Sequence, residues 1–290
     1  MRKQTPSSCS MNAEGSFKRQ AHTFTSPPNP RNPIMRLRQI ALMTDDLEKA
    51  TSELTDLLDS EVCFRDPGVA LFGLRNVLIP LGSDFLEVLA PEQEDTAGGR
   101  HLKRRGPGGY MVIFQCADGE AARDHAVQAG ARAVWQHDES GIHATHFHPR
   151  SLPGAIVSID SMEESNPDYC RPDARWHWAG PDWKSHRRDN GVVGLNGAVI
   201  RSRDAVSAAA RWQEVLNLEP SAANPDALKL DHGEMQFETG SDEDSDFPAF
   251  RLRHSDIPSL LSRAQELGLP HDEGGVDVAG IRIELDAVPR

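Results

Sequence analysis

Apolar positions along this chain fall into two rhythms, a period of two and then a period of three to four, and the pair recurs four times. The run Leu37 to Thr44 reads as a strand. After Asp45 and Asp46 a stripe of Leu47, Ala50, Leu54, Leu57 and Leu58 follows, and spacings of three and four put such a stripe on one helix face. Asp45 with Glu48 three positions later has the form of a capping box. Short strands are predicted next at Ala70 to Phe72, Asn76 to Pro80 and Asp84 to Leu89, so the unit is strand, helix, three strands.

The unit returns with a strand at Tyr110 to Cys116, a helix opened by Asp118 with Ala121, Ala122, Ala126 and Ala129 on one side, and strands at Val134 to His137, His143 to His148 and Ala155 to Ile159. A third copy has its strand at Gly197 to Ser202, its helix at Ala205 to Leu216, and strands at Leu228 to Leu230 and Glu234 to Glu238. The fourth runs from Ala249 to Arg253 through a helix with Pro258 in its first turn and Gly268 past its end, to strands at Val276–Asp277 and Ile281 to Leu285. Fourfold self-similarity of this kind makes pairs of units the natural domains. The expected organisation is a head at 1–34, a first domain at 35–163, a Trp- and Pro-rich segment at 164–192, and a second domain at 193–288.

The segment 164–192 carries Trp176, Trp178 and Trp183, each able to bury a large area, and is expected to pack across the domain interface; the alternative is an exposed aromatic patch for a partner. Residues 1–34 hold Arg2, Lys3, Lys18, Arg19 and Arg31 against Glu14 alone, are rich in Ser, Pro and Asn, and show no apolar period; they read as a disordered head, with Met35 as the natural start.

Composition narrows the classes. Of 290 residues 44 are acidic and 31 basic, a net charge of −13, and since the head holds +4 the remainder holds −17. Phosphate backbones demand clustered Lys and Arg, so nucleic acid is excluded as a partner. No apolar run approaches the ~18 residues that span a bilayer, which excludes a membrane-embedded chain. Cys9, Cys63, Cys116 and Cys170 show no CxxC spacing and fit a reducing, cytoplasmic compartment.

The segments Gln39-Ile-Ala-Leu-Met-Thr-Asp-Asp-Leu47, Phe85-Leu-Glu-Val-Leu89 and His148-Pro-Arg-Ser-Leu-Pro-Gly-Ala-Ile-Val157, set in the fourfold pattern, resemble the vicinal oxygen chelate superfamily, which includes glyoxalase I, extradiol dioxygenases, methylmalonyl-CoA epimerase and bleomycin-resistance proteins. Phe72-Gly-Leu-Arg-Asn-Val77 through Ala90-Pro91 is similar to its glyoxalase-like subgroup. The resemblance implies an α+β fold of two tandem domains, each of two βαβββ units forming a cup-shaped, incompletely closed sheet, the second domain degenerate. It also implies a divalent metal (Fe, Mn, Ni or Zn) in the cup, held by a His or Gln on the first strand and a Glu on the last strand of each unit. Matched by position, Gln39 and Glu87 are of the expected types, while Met111 and Ser158 replace the other two ligands. In domain two Gly197 and Ala249 stand at the first-strand positions.

Glu87 is a charge inside an apolar run, and the two readings for it are metal ligand or general base on the one hand, and an ion pair with Arg75 or Arg38 on the other. His146 and His148 either join Glu87 at a metal or line the pocket and hold the turn before Pro149. Arg150 is a candidate for a substrate carboxylate, and Tyr110 and Phe85, with Phe114 and Phe147, for an aromatic wall or for core packing. The acidic run Ser241 to Asp246 lacks the Gly and distal Glu of a calcium loop and reads as solvated. Two functions remain. One is an enzyme acting on a small oxygen-rich metabolite by metal-assisted or Glu-based proton abstraction, with lyase, isomerase or dioxygenase chemistry. The other is a non-catalytic small-molecule binding or sequestration protein of the bleomycin-resistance type. Either would be a monomer or homodimer.

Overall fold

The four strand–helix copies build two seven-stranded sheets. A computed structural model describes residues 35–163, 171–222, 224, 226–241 and 245–288. The expectations for the head, for Cys9 and Cys170, and for the middle of the acidic run lie outside the described residues.

The first sheet has the strand order β2-β3-β1-β4-β7-β6-β5, from β1 (Arg36–Met43), β2 (Leu74–Leu81), β3 (Asp84–Pro91), β4 (Gly108–Gln115), β5 (Ala133–Glu139), β6 (Ile142–Phe147) and β7 (Ile156–Met162). The second has the order β12-β13-β14-β11-β8-β10-β9, from β8 (Val192–Ser202), β9 (Ala227–Lys229), β10 (Glu234–Thr239), β11 (Asp246–His254), β12 (His271–Asp272), β13 (Gly275–Val278) and β14 (Ile281–Ala287). In each sheet the first strands of two units pair antiparallel at the centre, β1 with β4 and β8 with β11. Each also pairs parallel with the last strand of its own unit. Neither sheet closes.

The helices α1 (Leu47–Leu58), α3 (Gly119–Gln128), α4 (Ala205–Leu216) and α5 (Ile257–Glu266) begin with the same device. An aspartate side chain, from Asp46, Asp118, Asp204 or Asp256, accepts the backbone N–H three residues on. In α1 the cap is Asp46, one position later than the capping-box reading, and Glu48 pairs with Arg75 at 2.5 Å. One sheet face, with Ile40, Leu42, Val112 and Phe114, packs with these helices into a core continuous with that of domain two, where Trp212 meets Phe114 edge-on at 6.4 Å. Alternation sends Ala41, Met43, Met111 and Ile113 to the other face, the inside of the cup.

Two local expectations change. Ala70 to Phe72 belongs to a 3-10 turn, Pro67–Phe72, because Asp66 caps it, Pro67 sits in its first turn, and Gly73 takes φ +67° at its end. The third strand of that unit shrinks to a single bridge, Phe64 to Leu78. A helix α2 (Ala97–Arg105), capped by Thr96, joins the first two units. Its sequence, Ala-Gly-Gly-Arg-His-Leu-Lys-Arg-Arg, has no apolar stripe to announce it.

Candidate active site in the domain-one cup

The inside of the first sheet is covered by the chain's own Trp-rich segment. Trp176 and Trp183 are 1% and 2% exposed and pack with Ala41, Met43, Phe85, Leu89, Met111 and Ile113. The segment therefore does more than cross between domains: its tryptophans fill the cup.

A hydrogen-bonded chain runs beneath Trp176. The indole Nε1–H donates to Gln39 Oε1 at 2.7 Å, Gln39 Nε2 donates to Glu87 Oε2 at 2.9 Å, and Asn76 Nδ2 donates to Glu87 Oε1 at 2.6 Å. The backbone N–H of Asp66 donates to Asn76 Oδ1 at 2.8 Å. Indole and backbone N–H groups only donate. They fix the two amides with their oxygens outward and their NH2 groups on the carboxyl, so the usual O/N ambiguity of an amide is absent here. Asn76 reaches Glu87 from the neighbouring strand, where Glu87 is paired with Leu78 two positions along. Burial pushes Glu87 up to about 7, against the pull of the Asn76 and Gln39 amides.

The second unit holds a buried carboxyl outside the positions that the resemblance implies for ligands. Ser158 stands where a Glu was expected, and its hydroxyl donates to Asp160 Oδ1 at 2.5 Å; Asp160 lies two residues further along β7 on the same face. Trp178 Nε1–H donates to Asp160 Oδ2 at 2.7 Å. Burial raises this carboxyl too, to about 7, opposed by the hydroxyl and the indole. Both units thus contribute one buried carboxyl, each tied to an indole of the same Trp-X-Trp stretch.

Neither ion pair weighed for Glu87 forms. Arg75 goes to Glu48. Arg38, fully buried at a register shift of β1, lies 5.4 to 5.8 Å from the rings of Phe85, Trp176 and Trp183 and donates to the Ala174 carbonyl at 2.9 Å. Its Nε and Nη1 have no acceptor, and desolvation brings the guanidinium down to about 9.

The other sequence candidates divide. Phe85 is on the cup wall, edge-on to Trp183 at 5.0 Å, and Tyr110 joins that wall from a bulge opposite Ala41 and Leu42, its phenol pushed up to about 12 by burial. His146 sits on β6 opposite Ser158 and packs on Trp135 at 4.4 Å and Phe72 at 5.8 Å; burial brings it down to about 4, so it is neutral at pH 7. With Trp178 and His137 these rings form an aromatic rim. His148 lies past the end of β6 and accepts the Arg150 backbone N–H at 3.1 Å, holding the turn, and Arg150 is exposed. Cys116 is buried and its thiol pushed up to about 12. A cleft of about 990 Å3 opens elsewhere, between the Arg104–Gly109 stretch and the Phe247–Pro248 and Val278–Arg282 stretches of domain two, and includes none of the cup's polar groups.

The donor set does not fit the metal that the resemblance implies. Gln39 turns its oxygen to Trp176 and its NH2 to Glu87, both Glu87 oxygens accept N–H groups, and Met111 and Ser158 supply no further ligand. No group of three or more His, Cys, Asp or Glu among the described residues is placed to hold a metal ion. After soaking with Zn, Mn, Ni or Fe(II) and desalting, elemental analysis is expected to find no difference between wild type and Glu87→Ala. Retention of about one equivalent that Glu87→Ala loses would overturn this.

Two paired-unit cups in tandem are the architecture of the vicinal oxygen chelate superfamily. Within it the chain belongs to the glyoxalase-like domain family, which residues 40–216 match. A triply substituted 4-hydroxymandelate synthase from Streptomyces coelicolor shares the fold over 87% of this chain and 92% of its own, at 15% identity and a TM-score of 0.62. Methylmalonyl-CoA epimerases align with one portion of the chain. A singly substituted Streptomyces coelicolor enzyme in complex with 2-nitronate-propionyl-CoA covers 44% of this chain and 98% of its own, at 21% identity and a TM-score of 0.41. The Mycobacterium tuberculosis enzyme covers 46% and 90%, at 19% and 0.40. No curated protein matches the chain. No described helix is long and apolar enough to cross a membrane.

Proposed function

We propose that the domain-one cup carries out proton transfer on a small oxygen-bearing metabolite, with Glu87 and Asp160 as its acid–base groups and lyase or isomerase chemistry as the outcome. The observation that carries this reading is the pair of buried carboxyls, one from each unit and both pushed up to about 7. General acid–base catalysis works best with groups that titrate near the operating pH. As a carboxylate, Glu87 would accept a proton from a carbon beside a carbonyl, oriented by the Gln39 and Asn76 amides. Asp160, protonated, would donate to the oxygen that gains charge. Phe85 and Tyr110 would wall the substrate and His146 would border it at the rim, while His148 and Arg150 have no part in this reading. The Trp176–Trp178 stretch occupies the ground over both carboxyls, so substrate entry requires it to move. We place the protein in the cytoplasm with a small molecule as its partner, as a monomer or homodimer.

The aromatic rim of Phe72, Trp135, His146 and Trp178 favours a second reading, sequestration of a planar ligand without chemistry. One experiment separates the two. 2-Oxo acids and acyl thioesters with an exchangeable α-hydrogen are incubated with the protein in D2O and followed by proton NMR. Proton transfer is expected to replace the α-hydrogen with deuterium, fastest near pH 7 and at least ~100-fold slower in Asp160→Asn and Glu87→Gln. Saturable binding without exchange would pass the assignment to sequestration.

A further inference from the structure

A second cavity, of about 390 Å3, lies at the seam between the domains and is lined by Arg36, Gly82, Ser83, Pro172, Arg187, Val192, Val193, His232 and Arg253. Four of these side chains are basic, and they come from domain one, the Trp-rich segment and domain two. Arg36 is spoken for: its guanidinium pairs with Asp84 at 2.6 Å, and Asp84 also accepts the Leu195 N–H at 2.8 Å. His232 stands 3.8 Å from Asp231. Arg187 and Arg253 are different. Neither side chain makes a hydrogen bond or ion pair with a described residue, and Arg253 Nε is buried without an acceptor.

Burying Arg253 Nε without an acceptor at a domain seam is costly, and in a chain carrying −13 it does not reflect a shortage of acids; Arg187 beside it keeps its guanidinium exposed. The backbone makes room for this arrangement. Gly194, at φ +152°, has no Cβ, and one placed there would come within 2.6 Å of Asp84 Oδ2 and 3.1 Å of Arg253 Nη2. Gly82, at φ +64°, lets the β2–β3 turn abut the Val193 carbonyl, where a Cβ would stand at 2.3 Å.

We propose that this cavity is a binding site for a small, multiply charged oxyanion, a phosphate monoester or a di- or tricarboxylate, with Arg187 and Arg253 as its principal contacts. The planar guanidinium fork matches both oxyanion types. The site has a structural consequence. Pro172 and Arg187 lie on either side of the stretch that carries Trp176, Trp178 and Trp183 in the cup. Arg36 Nη1 also donates to the Arg171 carbonyl. An anion bridging Arg187 and Arg253 therefore ties one end of the cup-filling segment to domain two, while Arg36 of domain one holds the other end, independently of any chemistry at Glu87.

The test is titration calorimetry of the full chain with inorganic phosphate and, separately, with citrate, against sodium chloride at matched ionic strength, with the melting temperature followed in parallel. Saturable binding of one anion per chain is expected, with a rise in melting temperature and slower acrylamide quenching of tryptophan fluorescence. Affinity should fall at least ~10-fold in Arg253→Gln and in Arg187→Gln, the equivalent of about 1.4 kcal/mol or more. Arg187 is exposed, so its variant reports on the site even if Arg253→Gln folds poorly. Stronger binding of phosphate assigns the phosphate-ester class, and of citrate the carboxylate class. Heats no different from sodium chloride, or an affinity unchanged in Arg187→Gln, would overturn the proposal.

Discussion

Trp176→Ala is expected to destabilise the protein by about 3–5 kcal/mol and to leave a hole that free indole refills. Trp176 is among the largest fully buried side chains, and it is held by both its surface and its edge. Its surroundings, Arg38 and the apolar wall of the first sheet, cannot collapse far, because that sheet is closed from the other side by the helices. Removing the indole also releases Gln39 Oε1, which then has no obligate donor and no longer holds its NH2 on Glu87. Denaturant unfolding should show a lower midpoint with an unchanged slope. Millimolar indole should restore part of the loss in the variant and do nothing to wild type. A loss below about 1 kcal/mol would mean that the segment lies over the cup without being anchored in it.

The two buried carboxyls should respond unequally to neutral substitution. For both, the folded pKa of about 7 lies above the ordinary 4.5 of Glu87 and 3.8 of Asp160, so between those limits the folded state binds more protons than the unfolded. Stability from these groups is complete below about pH 4 and is lost as pH rises through 7. Asp160→Asn removes that loss at little cost. The Trp178 indole can still donate to the amide oxygen, and the Ser158 hydroxyl can turn its hydrogen to the Thr145 carbonyl, 3.3 Å away, and accept from the new NH2. At pH 8 this variant should be more stable than wild type by about 2–4 kcal/mol, with the difference vanishing near pH 4.

Glu87→Gln has no such freedom. Its two neighbours both present NH2 groups, pinned by Trp176 and by the Asp66 N–H, so the new amide must set its own NH2 against one of them. A buried donor facing a donor should offset most of the relief from losing the charge, and leave this variant about 1–3 kcal/mol less stable than Asp160→Asn at pH 8. Combining it with Asn76→Asp restores a carboxylate opposite the new amide and should recover most of the loss. Thermal or urea denaturation across pH 4 to 8 measures all of this, and a Glu87→Gln variant as stable as Asp160→Asn would show that the amides are not pinned.

The histidines shape the wild-type pH profile. His146 and His101 are brought down to about 4 by burial, so the unfolded chain binds more protons between pH 4 and 6.5. Their contribution therefore rises with pH over nearly the window in which that of the carboxyls falls. Wild type is expected to be flat through this range, and the carboxyl variants to slope upward.

Much of this architecture is legible in residue order. Four apolar stripes, each opened by an aspartate, mark four helices because helix caps and helix faces are local properties. Gln39 and Glu87 stand out for the same reason, as polar groups inside apolar strands. Asn76 and Asp160 carry that signal too, in Leu74–Leu81 and Ile156–Met162, but neither stands at a position where the resemblance implies a ligand. The 3-10 turn at Pro67–Phe72 is likewise readable after the fact from Asp66, Pro67 and Gly73.

What residue order could not supply is long-range pairing. The sequence alone determined four repeated units, two domains and a polar pair on the strands of the first unit, since period, capping and composition depend on near neighbours. Only the tertiary structure decided that Trp176 and Trp183, far along the chain from Gln39, lie inside the cup with Trp178 at its rim. That contact turns a would-be metal ligand into an oriented amide, raises two carboxyls by excluding water from them, and leaves Arg38 among rings. Each of these effects depends on which groups are buried together, and burial is set by packing between segments rather than by the residues within one.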